Sequence, residues 1–439
     1  MQDRLGWIRA VPDSLERWAS WMDFAGQVRR DGLDHVLVCG MGGSSLAPQV
    51  FINSFGAAGV GVLDSTDPAA VRAAERAHPI ERTLFLIVSK SGTTLETLAA
   101  YHYFSARATP RQFVAVTDPG SALTRLAEER KFRAVFPHPL DVGGRYSALT
   151  VVGMLPAALA AIDGATVLER ARDSDVTAAK AFGRTVAAAA VAGRDKLVLE
   201  PPPRVALLAM WIEQLVAESS GKDGRGVVPI VGDQNGAARP DALPVRKFSA
   251  DPLDLGREFL RWEYATWELC VGLGVNPFDQ PDVEEAKVLA RAELAKPAGA
   301  AIEAPATLTP AELRRAAKPG DYLALLAYLS PQPEHEAALQ RVRAAWSDAL
   351  GVVTTLGFGP RYLHSTGQLH KGGPNTGLFL VITADPAFDL DIPELGTTFG
   401  RLQRAQAVGD IRALLARGRR VCHVHLRQPA DVDQLTTVV

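Results

Sequence analysis

The amino-acid sequence predicts an α/β chain: two doubly wound, mostly parallel sheets with helices on both faces. Three observations carry the prediction. Short apolar runs recur along the whole chain, helical patterns lie between them, and 439 residues exceed what one hydrophobic core usually serves, about 250–300 residues. Continuous apolar runs, as opposed to alternating ones, belong to strands buried on both faces of a parallel sheet.

In the first half the runs are HVLVCG (35–40), GVLDS (61–65), TLFLIVS (83–89) and FVAVTD (113–118). PAAVRAAERAH (68–78) and LETLAAYHYF (95–104) read as helices between them. Sheets of this kind place ligand loops at the carboxyl ends of their strands. In the second half VALLAMWIEQLVAESS (205–220) has helical spacing. GVVPIV (226–231), YLALLAYL (322–329), VVTTLGF (352–358), GLFLVIT (377–383) and RVCHVHL (420–426) read as strands. Helical stretches around REFLRWEYATWELCV, PDVEEAKVLARAELA, EAALQRVRAAW and TFGRLQRAQAVGDIRALLARG separate them. The join is expected in the Ala-rich segment after Asp163, giving a first domain over 1–165 and a second over 166–439. KPAGAAIEAPATLTP (296–310) reads as an exposed connection.

Composition narrows the function. A hydrophobic fraction of 47% and a charged fraction of 22% are ordinary for a globular enzyme. A formal net charge of −2 does not point to nucleic acid or an acidic membrane. No apolar run approaches the length of a bilayer span. The segment MQDRLGWIRAVPDSLERW lacks the basic start and apolar stretch of a signal peptide, so a cytoplasmic chain is expected. Cys39, Cys270 and Cys422 lie far apart in apolar contexts, the usage of a reducing compartment. Cys422-His423-Val424-His425 has metal-ligand residue types, but strand alternation explains it and no second ligand cluster completes a coordination sphere. No metal is expected.

Five motifs carry chemistry. Gly40-Met41-Gly42-Gly43-Ser44-Ser45 follows the first strand and opens a helix; glycines let backbone approach an anion, and the helix amides face it. It has neither the Gly-Lys-Ser/Thr ending of a nucleotide P-loop nor the glycine spacing of a dinucleotide fingerprint. Ser89-Lys90-Ser91-Gly92-Thr93-Thr94 stands between strand TLFLIV and a helix. An ordinary cap needs one hydroxyl, whereas four with a lysine and a helix end make a phosphate cradle. Gly143-Gly144-Arg145-Tyr146-Ser147 offers a permanently charged fork of donors; a surface salt bridge is the plainer use of such an arginine. Gln214 and Glu218 are four apart and share a helix face, near the end where the macrodipole disfavours a carboxylate. Glu218 is therefore a candidate base, against the plainer reading of a solvent-facing glutamate. Finally, His364, His370 and Lys371 stand among glycines in LHSTGQLHKGG (363–373) just after a strand, where paired histidines belong to sites more often than lone ones do.

Together these segments resemble phosphoglucose isomerase. GMGGSSLAP, SKSGTTLET, VGGRYS, QLVAESSGK and VNPFDQPDVEEAKVLA occur in that family's order over roughly residues 38 to 290. GGRYS and the Q-x3-E-S-x-G-K run are the specific ones; the SKSGTT loop is shared with sugar isomerase (SIS) domains generally. The C-terminal part, with FGPRYLHSTGQLHKGGPNTGLF, is similar to the isomerase half of bifunctional transaldolase–phosphoglucose isomerase proteins. The resemblance implies reversible isomerisation of glucose 6-phosphate and fructose 6-phosphate through a cis-enediolate, with no cofactor. It implies Gly43 and Ser44 in a substrate loop, and Ser89, Lys90, Ser91 and Thr94 around the phosphate. Arg145 would face the enediolate, Gln214 bind substrate, and Glu218 act as base. It also implies a sugar phosphate as the small-molecule partner and a possible homodimer. The family's ring-opening histidine normally lies between the glutamate and the FDQ segment, yet no histidine occurs from Glu218 to Phe278. His370, with His364 beside it, is assigned to ring opening, and Lys371 to the lysine that assists at the ring oxygen. Two alternatives remain: an enzyme that also takes mannose 6-phosphate, and a non-catalytic SIS-domain sensor, which would need neither Glu218 nor Arg145.

Overall fold

A computed structural model describes residues 4–233, 236–297 and 299–437. Its first sheet contains β1 (His35–Gly40), β2 (Val60–Leu63), β3 (Thr83–Val88), β4 (Phe113–Thr117) and β5 (Ala134–Pro137). All are parallel, in the order β2-β1-β3-β4-β5. Helix α1 (Ala10–Arg30) precedes them, and α2 (Gly43–Phe55), α3 (Pro68–Ala77), α4 (Leu95–Ser105) and α5 (Ala122–Glu129) are the crossovers. Local chemistry sets their starts. Asp67 accepts from the amides of Ala69 and Ala70, with Pro68 opening α3, and Ser121 accepts from Thr124 at α5. Strand order reverses at β1 and β3, so the loops leaving these two strands diverge and open a crevice between them. Those loops are the Gly-Ser and Ser-Lys-Ser motifs.

Helices α6 (Val151–Leu159), α7 (Gly164–Arg172) and α8 (Thr177–Val191) lead to a three-stranded parallel sheet. It holds β6 (Lys196–Leu199), β7 (Val228–Val231) and β8 (Ala242–Val245), in the order β7-β6-β8. Helix α9 (Leu208–Ser220) crosses between β6 and β7, and α10 (Leu255–Leu273) and α11 (Glu284–Leu294) follow. After α12 (Pro310–Arg315) comes a four-stranded parallel sheet in the order β10 (Val353–Phe358), β9 (Tyr322–Tyr328), β11 (Gly377–Ala384), β14 (Arg420–Leu426). A small antiparallel pair, β12 (Asp391–Ile392) and β13 (Thr397–Thr398), accompanies it. Helices α13 (Pro333–Leu350), α14 (Gly367–Gly372) and α15 (Phe399–Ala416) complete it. Val198, Val228 and Ile230 share one core with Tyr322, Leu326 and Phe379, and Thr354 donates to Asp233 at 2.8 Å from its amide and 3.0 Å from its hydroxyl. The two later sheets therefore bury apolar surface against each other.

The expected α/β class and its parallel sheets are what the chain adopts. Three strands of the parallel sheets escaped the sequence pattern, as did the two-residue strands β12 and β13. β5, β6 and β8 have only four residues each, and β8 contains Pro244, which its edge position tolerates. The segment 296–310 is less exposed than its composition suggests. Ile302 packs against Ala405 and Val408, and Leu308 bridges to Cys422.

Candidate active site

The carboxyl ends of β1 and β3 open into a cleft of about 410 Å³. Its floor is the Gly42-Gly43 turn into α2. Gly42 has φ +57°, and a Cβ there would lie 2.7 Å from the His364 carbonyl oxygen and 2.8 Å from Gln214 Nε2. A Cβ on Gly43 would lie 2.1 Å from the Gly144 carbonyl oxygen. Glycine is required here because three other segments close on this turn. Ser44, Ser89, Lys90, Ser91, Thr94, Arg145, Gln214, Glu218 and His364 all line the cleft.

The Ser89–Thr94 loop is knit by its own hydroxyls. Ser89 Oγ is 2.9 Å from Thr94 Oγ1 and accepts from the Gly92 amide at 3.1 Å; Ser91 Oγ is 2.9 Å from Thr93 Oγ1. Thr94 immediately precedes α4 without capping it through its side chain. Lys90 turns its ammonium to Asp118, at 3.1 Å from Oδ1, and to the Leu140 carbonyl at 3.3 Å. Burial pushes the Asp118 carboxyl up, but hydrogen bonds from His138 and Lys90 outweigh it and hold the group below its ordinary value.

Glu218 and Arg145 face each other, with Nη1 3.6 Å from Oε1. The guanidinium is almost wholly buried and donates from Nη2 to Gln280 Oε1 at 2.7 Å and to the Asp279 carbonyl at 3.2 Å. Lys222 fastens that same segment from behind, with Nζ 2.6 Å from the Asn276 carbonyl and 2.7 Å from Asp279 Oδ1. Burial lowers its ammonium, with Asp279 opposing. One helical turn before Glu218, Gln214 donates from Nε2 to Glu218 Oε2 at 3.0 Å and to the His364 carbonyl at 2.9 Å. Glu218 is thus tied to the histidine segment, although 150 residues separate Gln214 from His364.

The histidine–lysine segment divides. His364 Nε2 is 2.9 Å from Glu96 Oε1, which also accepts from Gln406 Nε2 at 2.7 Å. Burial would raise the Glu96 carboxyl, but the charge and hydrogen bond of His364 prevail and hold it down. His370 lies elsewhere. It is 2% exposed, with its ring among Tyr322, Tyr362 and Phe379, and it lines neither the cleft nor the adjoining cavity of about 250 Å³. Burial, then Lys371 and Arg419, push its imidazole well below the ordinary range. A ring in this cage cannot reach a ligand, which corrects its assignment to ring opening. Lys371 borders the adjoining cavity, but its ammonium is locked 2.6 Å from Asp410 Oδ1, both side chains being 1% exposed. The Gly-rich LHSTGQLHKGG segment forms the end of the turn Arg361–His364 followed by α14, and α14 points His370 and Lys371 inward.

Sequence reasoning missed Glu96, Gln280 and Lys287. Glu96 opens α4 within SKSGTTLET; Gln280 and Lys287 belong to VNPFDQPDVEEAKVLA. Lys287 lines both cavities and pairs with Glu284 on its own helix at 3.2 Å. Its signal lay in a quoted motif, but only packing turns α11 toward the cleft. Cys422, His423 and His425 lie on β14, with both rings on the Thr383 hydroxyl. Among the described residues no helix is long and apolar enough to cross a membrane.

Comparison with known proteins gives a family likeness over part of the chain. Residues 15–224 match the family model of phosphoglucose isomerase. A probable glucose-6-phosphate isomerase of Haloquadratum walsbyi is 33% identical over 213 residues, covering 44% of this chain and 49% of the relative. The glucose-6-phosphate isomerase of Mycoplasmopsis synoviae is 33% identical over 258 residues, 52% of this chain and 59% of the relative. The chain thus spans about half the length of the curated relatives it matches. A crystal structure of a glucose-6-phosphate isomerase from Chlamydia trachomatis shares the fold at a TM-score of 0.53 and 20% identity, over 65% of this chain and 73% of that one.

Proposed function

We propose that this chain, whose residues 15–224 match the phosphoglucose isomerase family, interconverts glucose 6-phosphate and fructose 6-phosphate. The observation that carries the reading is one cleft lined by a carboxylate facing an arginine, a hydroxyl-rich helix-entry loop and a carboxylate-backed histidine. The reaction moves hydrogen between C1 and C2, which asks for a base and for positive charge beside the developing enediolate. Glu218 takes the C2 proton of the open aldose and returns it at C1, Arg145 faces the enediolate oxygen, and Gln214 orients the base. The Gly43-Ser44 turn and the Ser89, Ser91 and Thr94 hydroxyls hold the phosphate and so position the reacting carbons; Lys90 serves that loop from its ion pair with Asp118.

Ring opening needs a proton delivered at the ring oxygen and one removed from the hydroxyl. Histidine does both near neutral pH. His364 is accessible and is oriented by Glu96, so the role goes to His364. The assisting lysine is Lys287, which lines the cleft, while the ammonium of Lys371 is sealed against Asp410. The same reading divides the chain near residue 165, with the phosphate loop in the first part and the base in the second.

Glu218→Gln tests the reading. Turnover of fructose 6-phosphate should fall by about 10²–10⁴, the usual worth of a general base, with little change in affinity for the sugar phosphate. Retention of a tenth of the wild-type rate would remove Glu218 from the role.

A further inference from the structure

The loop leaving β2 lies outside the cleft and the adjoining cavity, yet it reaches the histidine segment twice. Asp64 holds Arg361, which begins the turn ending at His364. Thr66, wholly buried, donates from Oγ1 to Gln406 Oε1 at 2.8 Å. Gln406 donates in turn from Nε2 to Glu96 Oε1 at 2.7 Å, and the same oxygen is 2.9 Å from His364 Nε2. Four side chains from separate stretches of the chain thus form one line, from Thr66 to the imidazole.

The line has a direction. An ionised carboxylate only accepts hydrogen bonds. The Gln406 NH2 therefore faces Glu96, and its carbonyl faces Thr66, whose hydroxyl supplies the hydrogen. By the same rule His364 Nε2 carries its hydrogen toward Glu96. In the neutral ring Nδ1 is then the acceptor left for proton transfer.

Helix α15 is registered on the same loop at a second point. Gln403, three residues before Gln406 and on the same helix face, donates from Nε2 to Asp67 Oδ2 at 3.3 Å, while Asp67 Oδ1 caps α3. Gln403 and Gln406 are 6% and 5% exposed. Buried amides are costly unless they are hydrogen-bonded, and a satisfied polar network fixes a single arrangement. A glutamine at 406 gives Glu96 Oε1 a second donor, which an apolar side chain of similar size would not.

We propose that Thr66 and Gln406 are positioning residues for ring opening: Thr66 orients the Gln406 amide, which holds Glu96 Oε1 where His364 Nε2 meets it. The inference rests on the isomerase reading and on the role given there to His364. It asks nothing of Thr66 in substrate contact or in proton transfer itself.

The experiment compares two rates per folded molecule: turnover of cyclic glucose 6-phosphate, and C1–C2 proton exchange in open-chain substrate. Wild type comes first; without turnover the isomerase reading falls, and this inference with it. With wild type active, Thr66→Val keeps the side chain's shape and removes its hydroxyl. Cyclic turnover should fall by about 10- to 100-fold, the loss expected when a catalytic group shifts by about an ångström, with open-chain exchange nearly unchanged. Thr66→Ser keeps the hydroxyl and should restore most of the rate. In a His364→Ala background Thr66→Val should cost nothing further, because its effect passes through that ring. Unchanged cyclic turnover in Thr66→Val, equal loss of both rates, a Thr66→Ser enzyme as slow as Thr66→Val, or additive loss in the double variant overturns the proposal. Should Thr66→Val not fold, Gln406→Met removes the donor to Glu96. A loss confined to cyclic turnover supports the role, and any other pattern overturns it.

Discussion

Glu218 commits its two oxygens to different partners, one to Arg145 and one to Gln214. Its position is therefore set by side chains as much as by its helix. The two histidines of LHSTGQLHKGG divide just as sharply. His364→Ala should slow turnover of cyclic glucose 6-phosphate far more than C1–C2 proton exchange in open-chain substrate, because only ring opening would use the imidazole. His370→Ala should leave kcat within about twofold and lower the unfolding temperature, as cavity-forming core substitutions do. Equal loss of kcat in the two variants would contradict the assignment. For the lysines, Lys371→Met should cost about 3 kcal/mol of stability by stranding Asp410 in the interior, read from denaturant unfolding. Lys287→Met should spare stability and reduce kcat.

Among the elements, the loops leaving β1 and β3 show how secondary structure builds the site. Each apolar strand ends at a small-residue turn, and each following helix starts at the cleft. Ser89, Ser91, Thr93 and Thr94 were readable as more than a cap because four hydroxyls at one helix entry exceed its needs. The tight contacts around Gly42 and Gly43 were not readable, since the atoms that forbid a Cβ belong to residues 144, 214 and 364. Gly43→Ala should displace the Gly144-Arg145 turn and raise KM for sugar phosphates by an order of magnitude or more while the fold's circular dichroism is retained. A wild-type KM would show that the turn accommodates the methyl group. Four-residue strands such as β6 eluded the pattern because a run that short has no measurable period.

Across the whole molecule, the cleft exists because the early and late parts of the chain meet. Arg361 pairs with Asp64 at 2.8 Å, Thr66 donates to Gln406 at 2.8 Å, and His364 contacts Glu96. Asp64→Ala breaks a largely buried pair. It should cost about 3 kcal/mol and lower activity as well, because Arg361 begins the turn that carries His364. The His364–Glu96 contact also has a pH signature. Glu96 is held below its ordinary 4.5, burial being outweighed by the charge and hydrogen bond of His364. A depressed carboxyl stabilises the fold above its unfolded value, and that contribution drains away as pH falls through the lower folded value. Glu96→Gln should therefore unfold more easily than wild type at neutral pH, and the two should converge in acid well below 4.5. A constant difference between them across that range would argue against the coupling.

The sequence by itself determined the α/β class, the order of most strands and helices, and the residue types of the hydroxyl-rich loop, the arginine and the helical Gln214–Glu218 pair. Each of these is written in local patterns: apolar runs, helix entries and an i, i+4 pair. Tertiary structure decided which histidine and which lysine face the cleft, and it brought Glu96 and Gln280 into the site. A side chain's orientation on a short turn or helix depends on what the rest of the chain packs against it. In LHSTGQLHKGG the aromatic cage of Tyr322, Tyr362 and Phe379 claimed His370, Asp410 claimed Lys371, and Glu96, from far earlier in the chain, held His364 at the cleft.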